Sequence, residues 1–169
     1  NKATIDGYAN GIALLKRLKG NPAIIQLYSA EVDLERKSIL LVMELGEVDL
    51  NYVIRQQELL SSRQQGRGAG RSSLNMNFIR LTWQQMLNAV HCIHEARIIH
   101  GDLKPANFLF IKGVLKLIDF GIAKAIQCDD TTNIYRESSV GTLNYMSPES
   151  IQESGNGKNG HKCGKVSRL

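Results

Sequence analysis

The sequence predicts an α+β fold in two parts, a small mixed part followed by a mainly helical one. Three observations carry this. Residues 3–20 repeat apolar side chains at helical intervals and are followed by two strand-like runs. Residues 75–96 hold a second, longer helical pattern. A short hairpin around Lys112-Gly113 then precedes the apolar strand 115–119.

In the first helix Ile5, Tyr8, Ile12, Leu15 and Leu18 form the apolar stripe, and Gly20-Asn21-Pro22 ends it. The strand runs are 24–32 and 38–44, separated by the charged turn 33–37; the apolar stretch Ile39 to Met43 within the second suits a buried strand. Residues 45–48 connect to a short helix over 50–60. The stretch 61–73 is rich in Gly, Ser, Gln and Arg and is expected to be a disordered loop. Phe78, Leu81, Met86, Leu87, Val90 and Ile93 supply the stripe of the long helix. A Ser- and Thr-rich segment, 121–149, leads to a Gly- and Asn-rich tail over 154–169, expected to be disordered. The chain therefore divides into 1–44, the connection 45–48, a larger part 49–153 and the tail.

Composition narrows the function class. Of 169 residues, 43% are hydrophobic and 22% charged, the balance of a globular chain with its own core. No run is long enough to span a bilayer, and no signal sequence opens the chain, so a membrane role is not expected. Cys92, Cys128 and Cys163 are odd in number and have no Cys-x-x-Cys spacing, which indicates reduced thiols. The net charge of +5 comes from two acid-free segments. Removing Arg63, Arg67, Arg71, Lys158, Lys162, Lys165 and Arg168 leaves 14 basic residues against 16 acidic, a formal −2. Without a basic folded face or aromatics interleaved in the Arg/Gly loop, no specific nucleic-acid partner is expected. His91 and His94 share a helix at a metal-ligand spacing, but lack carboxylate or thiolate partners nearby and read as ordinary helix residues.

Two motifs stand close together: His100-Gly101-Asp102-Leu103-Lys104-Pro105-Ala106-Asn107-Phe108-Leu109, and Leu117-Ile118-Asp119-Phe120-Gly121. With Ser147-Pro148-Glu149 beyond them, they resemble the catalytic loop, the metal-binding motif and the end of the activation segment of eukaryotic protein kinases. The finer similarity is to the monopolar-spindle kinases of the spindle checkpoint, over Ile99–Leu109, Leu115–Ala123 and Val140–Glu149. The resemblance implies a partial two-lobe kinase fold: helix C and two strands of the small lobe in 1–44, the hinge in 45–48, and the first half of the helical large lobe in 49–153.

The resemblance also implies roles. Asp102 would orient the attacking hydroxyl or accept its proton, and Lys104 would offset charge on the transferred phosphoryl group. Asn107 and Asp119 would hold Mg2+, and Thr142 would bridge Asp102 and Lys104. ATP would lie behind Met43, its adenine edge meeting Glu44, Leu45 and Gly46 and its floor made by Leu109 and Ile118. Leu15, Leu27, His100 and Phe120 would stack as an apolar spine. Thr131, Thr132 and Ser138 would be activation-segment phosphosites. The expected activity is ATP-dependent phosphorylation of protein Ser and Thr, with Tyr as a further acceptor. Kinetochore or checkpoint proteins would be the partners, in the nucleus or cytoplasm and at the kinetochore.

Some positions depart from the pattern. Gly11 stands where the family has a glutamate, Gly101 where an arginine is frequent, and the Gly-rich loop and its following lysine strand have no counterpart in these 169 residues. Weak or absent phosphotransfer by the chain alone is therefore expected. The alternative is a truncated, inactive pseudokinase that acts by binding.

Overall fold

Helix α1 spans Lys2–Arg17. Ile12, Leu15 and Leu18 are buried as the helical period requires, together with Leu14, whereas Tyr8 is half exposed despite its place in the expected stripe. The reason lies in the neighbouring glycines: at Gly7 and Gly11 the helix meets the backbone of Phe120 and Gly121 rather than apolar side chains. The computed structural model describes residues 2–33, 35–36, 38–64, 74–121, 123–125, 133–136, 142–147 and 161–165. Residues 65–73, Thr131, Thr132, Ser138 and Pro148-Glu149, which figure in the sequence reading, lie outside the described residues.

Strands β1 (Leu27–Asp33) and β2 (Ser38–Met43) form an antiparallel pair, with Leu27 opposite Met43 and Asp33 opposite Ser38. The sheet has only these two strands among the described residues, so its faces are largely open. Leu40 is 62% exposed, and Val42 and Met43 are exposed as well. This corrects the expectation of a buried strand over Ile39–Met43. An apolar run gives β-propensity, but burial needs a partner layer.

Strand β3 (Val48–Asp49) pairs with β5 (Phe108–Ile111), which pairs with β6 (Val114–Leu117), all antiparallel. Lys112 and Gly113, with φ of 51° and 77°, make the two-residue turn between β5 and β6, a geometry whose twist matches that of the strands. Helix α2 (Leu50–Gln64) follows β3 directly, and the Asp49 side chain accepts the Tyr52 N–H at 2.9 Å, an N-cap bond. It runs into the first four residues of the expected disordered loop 61–73, since no glycine or proline interrupts it before Gly66.

Helix α3 (Met76–Glu95) is capped by Asn75, whose side chain accepts the N–H groups of Asn77 and Phe78 at 2.8 and 3.3 Å. Its inward line is Phe78, Thr82, Met86, Ala89 and Ile93. Leu81 and Leu87 turn outward instead, Leu81 being 62% exposed, since each sits about 100° round the helix from a residue of that line. Beyond α3, β4 (Ile98–Ile99) pairs with β7 (Lys124–Ala125). Strand β8 (Asn133–Arg136) pairs with β9 (His161–Lys165), which falls within the tail expected to be disordered. Backbone pairing between distant segments leaves no trace in composition.

The early part is tied to the hairpin by main chain. The Leu117 N–H donates to the Ala23 carbonyl at 2.9 Å, and the Ile25 N–H donates to the Leu117 carbonyl at 3.1 Å. Ile24, Phe108, Leu115, Leu117 and Phe120 are fully or nearly fully buried in one core around this junction. Among the described residues, no helix is long and apolar enough to cross a membrane.

Candidate active site

After β4 the chain enters the loop 100–107, which is held by its own side chains. Gly101 has φ of 84°, so the backbone reverses there and presents Asp102 beside His100. Lys104 Nζ donates to Asp102 Oδ2 at 2.6 Å and to Thr142 Oγ1 at 2.8 Å. Thr142 in turn donates to Asp102 Oδ1 twice, from its hydroxyl at 2.7 Å and from its N–H at 2.9 Å. Asn107, buried at the end of a short 3-10 turn, donates from Nδ2 to the Asp102 carbonyl at 2.8 Å and to Oδ2 at 3.3 Å. The structure thus brings Asp102, Lys104, Asn107 and Thr142 into one bonded group.

Burial raises the Asp102 carboxyl, but hydrogen bonds from Lys104 and Thr142 outweigh it and hold the group below its usual value. Asp102 is therefore a carboxylate well above that range, and a weak proton acceptor. Such a group aligns a hydroxyl better than it deprotonates one.

Asp119 is joined to this loop through the residue before it. The Ile118 N–H donates to the Asn107 carbonyl at 2.9 Å, and His100 Nε2 lies 3.1 Å from the Ile118 carbonyl. A carbonyl only accepts, so Nε2 carries the proton, and Nδ1 accepts the Asp102 N–H at 3.3 Å. One neutral tautomer satisfies both bonds. Burial pushes the imidazole below its usual value, against the Ile118 carbonyl and the Asp119 and Asp102 charges, which pull it up. Both carboxylates thus act on the same ring. Phe120 is 2% exposed and meets His100 edge-on, ring centroids 5.2 Å apart. Leu15, Leu27, His100 and Phe120 are all buried.

Asp119 has φ of 61°, unusual for a residue other than glycine, and its carboxylate is exposed with Oδ1 accepting the Gly121 N–H at 3.2 Å. Asn107 spends its amide N–H on Asp102, which leaves the amide oxygen as an acceptor. One carboxylate and one amide oxygen fit Mg2+, which takes one or two protein oxygens and fills its shell with water and phosphate. Among the described residues, no group of three His, Cys, Asp or Glu side chains gathers as a metal cluster. His91 and His94 therefore acquire no further ligand there; burial, and then the His91 charge, lower His94.

The proposed nucleotide edge is assembled in part. A Cβ at Gly46 would run into the Leu109 side chain, so this glycine lets Leu109 pack directly on the hinge. Glu44 spends its N–H on the Gln26 carbonyl at 2.9 Å. Its carboxylate takes two bonds from Lys116 Nζ, at 2.8 and 2.7 Å, which hold it below its usual value against the effect of burial. Met43 is 40% exposed and Leu45 88% exposed, so neither is enclosed by the described residues; Ile118 is half-buried. Lys116 escaped the sequence reading. Its signal was a lone cation between Leu115 and Leu117, alternating to the other face of the strand from those two core residues.

The protein kinase domain model matches residues 1–162. A probable serine/threonine-protein kinase mps1 of Dictyostelium discoideum is 53% identical over 167 residues, 98% of this chain and 16% of that protein. The serine/threonine-protein kinase mph1 of Schizosaccharomyces pombe is 49% identical over 153 residues, 90% of the chain and 21% of its own length. The dual specificity protein kinase TTK of Mus musculus is 43% identical over 151 residues, 89% of the chain and 16% of its own length. The chain thus spans about a sixth to a fifth of each of these relatives. With the Asp102 group, the His100 tie to Ile118 beside Asp119 and a match over nearly the whole length, this α+β chain belongs to the protein kinase domain family, alongside kinases named Mps1, Mph1 and TTK.

Proposed function

We propose that the chain carries the catalytic loop of an ATP-dependent kinase that phosphorylates Ser and Thr of protein substrates, with Tyr as a further acceptor. The observation that supports this most is the bonded group of Asp102, Lys104 and Thr142. Asp102 would take the substrate hydroxyl as a hydrogen-bond donor and aim its oxygen at the γ-phosphorus. Its four acceptor positions already receive Lys104, Asn107 and two bonds from Thr142, of which the 3.3 Å bond from Asn107 is the longest and the first to yield. Lys104 would stay on the oxygen side of the transferred group and offset its charge. Asn107 and Asp119 would hold Mg2+, which when bound neutralises charge on the phosphate oxygens. Met43, Glu44, Leu45, Gly46, Leu109 and Ile118 would frame the adenine.

The spindle-checkpoint setting, with kinetochore proteins as substrates in the nucleus or cytoplasm, rests on the three stretches that resemble the monopolar-spindle kinases. Phosphotransfer from labelled ATP to Ser and Thr peptides tests the enzyme reading. Asp102→Asn should lower the rate by about 10²- to 10⁴-fold, the range for removing a positioned acid–base group. Measurable transfer that is equal in the variant and the unaltered chain would sink the proposal. Gly11 favours a second reading, a pseudokinase that binds without catalysis; Mg-ATP binding with no transfer in the unaltered chain would select it.

A further inference from the structure

Helix α1 and the backbone after Asp119 approach closely enough that side chains at two helix positions would be tight against it. A Cβ added at Gly11 would lie 3.0 Å from the Phe120 carbonyl oxygen and 3.3 Å from its carbon. One added at Gly7, a turn earlier, would lie 3.3 Å from the Gly121 oxygen. Between them, Asn10 Nδ2 donates to the Ala123 carbonyl at 2.7 Å, a bond across 113 residues of chain. The gripped segment is also the one that shapes the Asp119 carboxylate. Gly121 donates its N–H to Asp119 Oδ1 at 3.2 Å, the Ala123 N–H closes a turn on the Phe120 carbonyl at 3.2 Å, and the Phe120 ring is sunk against His100.

We propose that Asn10 and Gly11 are positioning residues for Asp119: α1 sets that carboxylate by docking on the backbone of Phe120, Gly121 and Ala123, with Asn10 as the donor and Gly11 as the space that eases contact. Its consequence for catalysis rests on the phosphotransfer reading, while the docking itself does not. The glycine at position 11 is then more than a missing glutamate. A side chain there requires a peptide that is itself held by Ala123 and by the buried Phe120 ring to give by a few tenths of an ångström.

The test uses the whole 169-residue chain with Asn10→Ala and the near-isosteric Asn10→Asp, both of which remove the Nδ2 donor. Amide hydrogen exchange at Gly121 and Ala123 should speed up about three- to tenfold in both, the worth of one net hydrogen bond, with Ile93 in the α3 core unchanged. Unaltered rates at Gly121 and Ala123 in either variant would overturn the proposal. So would global loss of structure in both, because a local positioning contact does not hold the core. In phosphotransfer, the same variants should raise the Mg2+ concentration for half-maximal rate about three- to tenfold while the peptide KM stays within about twofold. Gly11→Glu should lower the rate, and a gain would count against the proposal. If the exchange results hold but the unaltered chain transfers no phosphate, the docking stands and the phosphotransfer reading falls.

Discussion

Thr142 is the residue on which the loop geometry turns, because its hydroxyl both donates to Asp102 Oδ1 and accepts from Lys104. Thr142→Ala removes both bonds and leaves the Lys104 ammonium with Asp102 alone. A hydrogen bond to a charged group is worth about 1.5–3 kcal/mol, so kcat should fall about 10- to 100-fold. The Kd for Mg-ATP should stay unchanged, since Thr142 does not touch the nucleotide edge described above. The variant should also shift the acid limb of the pH–rate profile. Thr142 is one of the groups holding the Asp102 carboxyl down, so without it the carboxyl rises toward its usual value and activity is lost at a higher pH than in the unaltered chain. Steady-state kinetics with a pH series decides this; an unmoved acid limb would remove Thr142 from the electrostatics of the site. Gly101 teaches a related lesson. Its φ of 84° means that an arginine there would be strained by about 1–2 kcal/mol as well as charged, so backbone shape gives glycine its own reason at this position.

Among the elements, β6 does more than complete a hairpin. Leu115 and Leu117 face the core, while Lys116 reaches Glu44 at the end of β2 and is only 12% exposed. The Leu115 N–H donates to Gln85 of α3 at 2.8 Å, and the Leu117 main chain bonds to Ala23 and Ile25. One four-residue strand therefore joins the early sheet, the hinge and the long helix. Lys116→Met keeps the stem and removes the charge, leaving the Glu44 carboxylate without its main partner. The expected loss is about 1–2 kcal/mol, discounted for the partial exposure of Glu44. Glu44 also sets the sign with pH. Its carboxyl is held below the usual value in the folded chain, so its stabilisation is fully present above about 4.5 and is lost as pH falls through the lower folded value. Urea unfolding should show a steeper acid decline in the unaltered chain than in Lys116→Met, and parallel curves would assign the pair no weight.

At the scale of the whole molecule, the pH response that the described residues give between neutrality and mild acid comes from His100 and His94. Both are held below the usual imidazole value, His100 by burial against opposing carboxylates and His94 by burial and the charge of His91. The unfolded chain takes up protons near 6.5 that the folded chain resists. The stability linked to these groups is therefore complete above about pH 6.5 and falls as pH drops from there through the lower folded values. Urea midpoints measured from pH 7.5 to 5 should decline, and His100→Gln should flatten part of that decline while the share of His94 remains. An identical slope in His100→Gln would mean that the ring between Asp102 and Ile118 does not govern the response. The ring links the loop bearing Asp102 to the strand before Asp119, so the same titration loosens both halves of the site together.

Much of this molecule was legible in its residues because the signals are local. The period of α1, the helical pattern over 75–96, the Lys112-Gly113 turn and the order of Asp102, Lys104, Asn107 and Asp119 are short-range patterns, each with a direct physical cause. The sequence by itself determined the α+β class with the order α1, β1, β2, α2, α3 and the β5–β6 hairpin, the candidate chemistry and the family. What it could not determine was which faces find a partner. Tyr8 carries the helical period and Leu40 sits in an apolar strand run, yet both remain exposed, because burial depends on a layer contributed from elsewhere in the fold. The bridge from Thr142 to Asp102 and Lys104 was implied by the kinase resemblance and is present, whereas two other contacts across great distances were decided only by the tertiary structure: Lys116 with Glu44, and Asn10 with Ala123. These two join side chains or backbone separated by 72 and 113 residues, and no periodicity or spacing in a linear chain specifies an encounter of that kind.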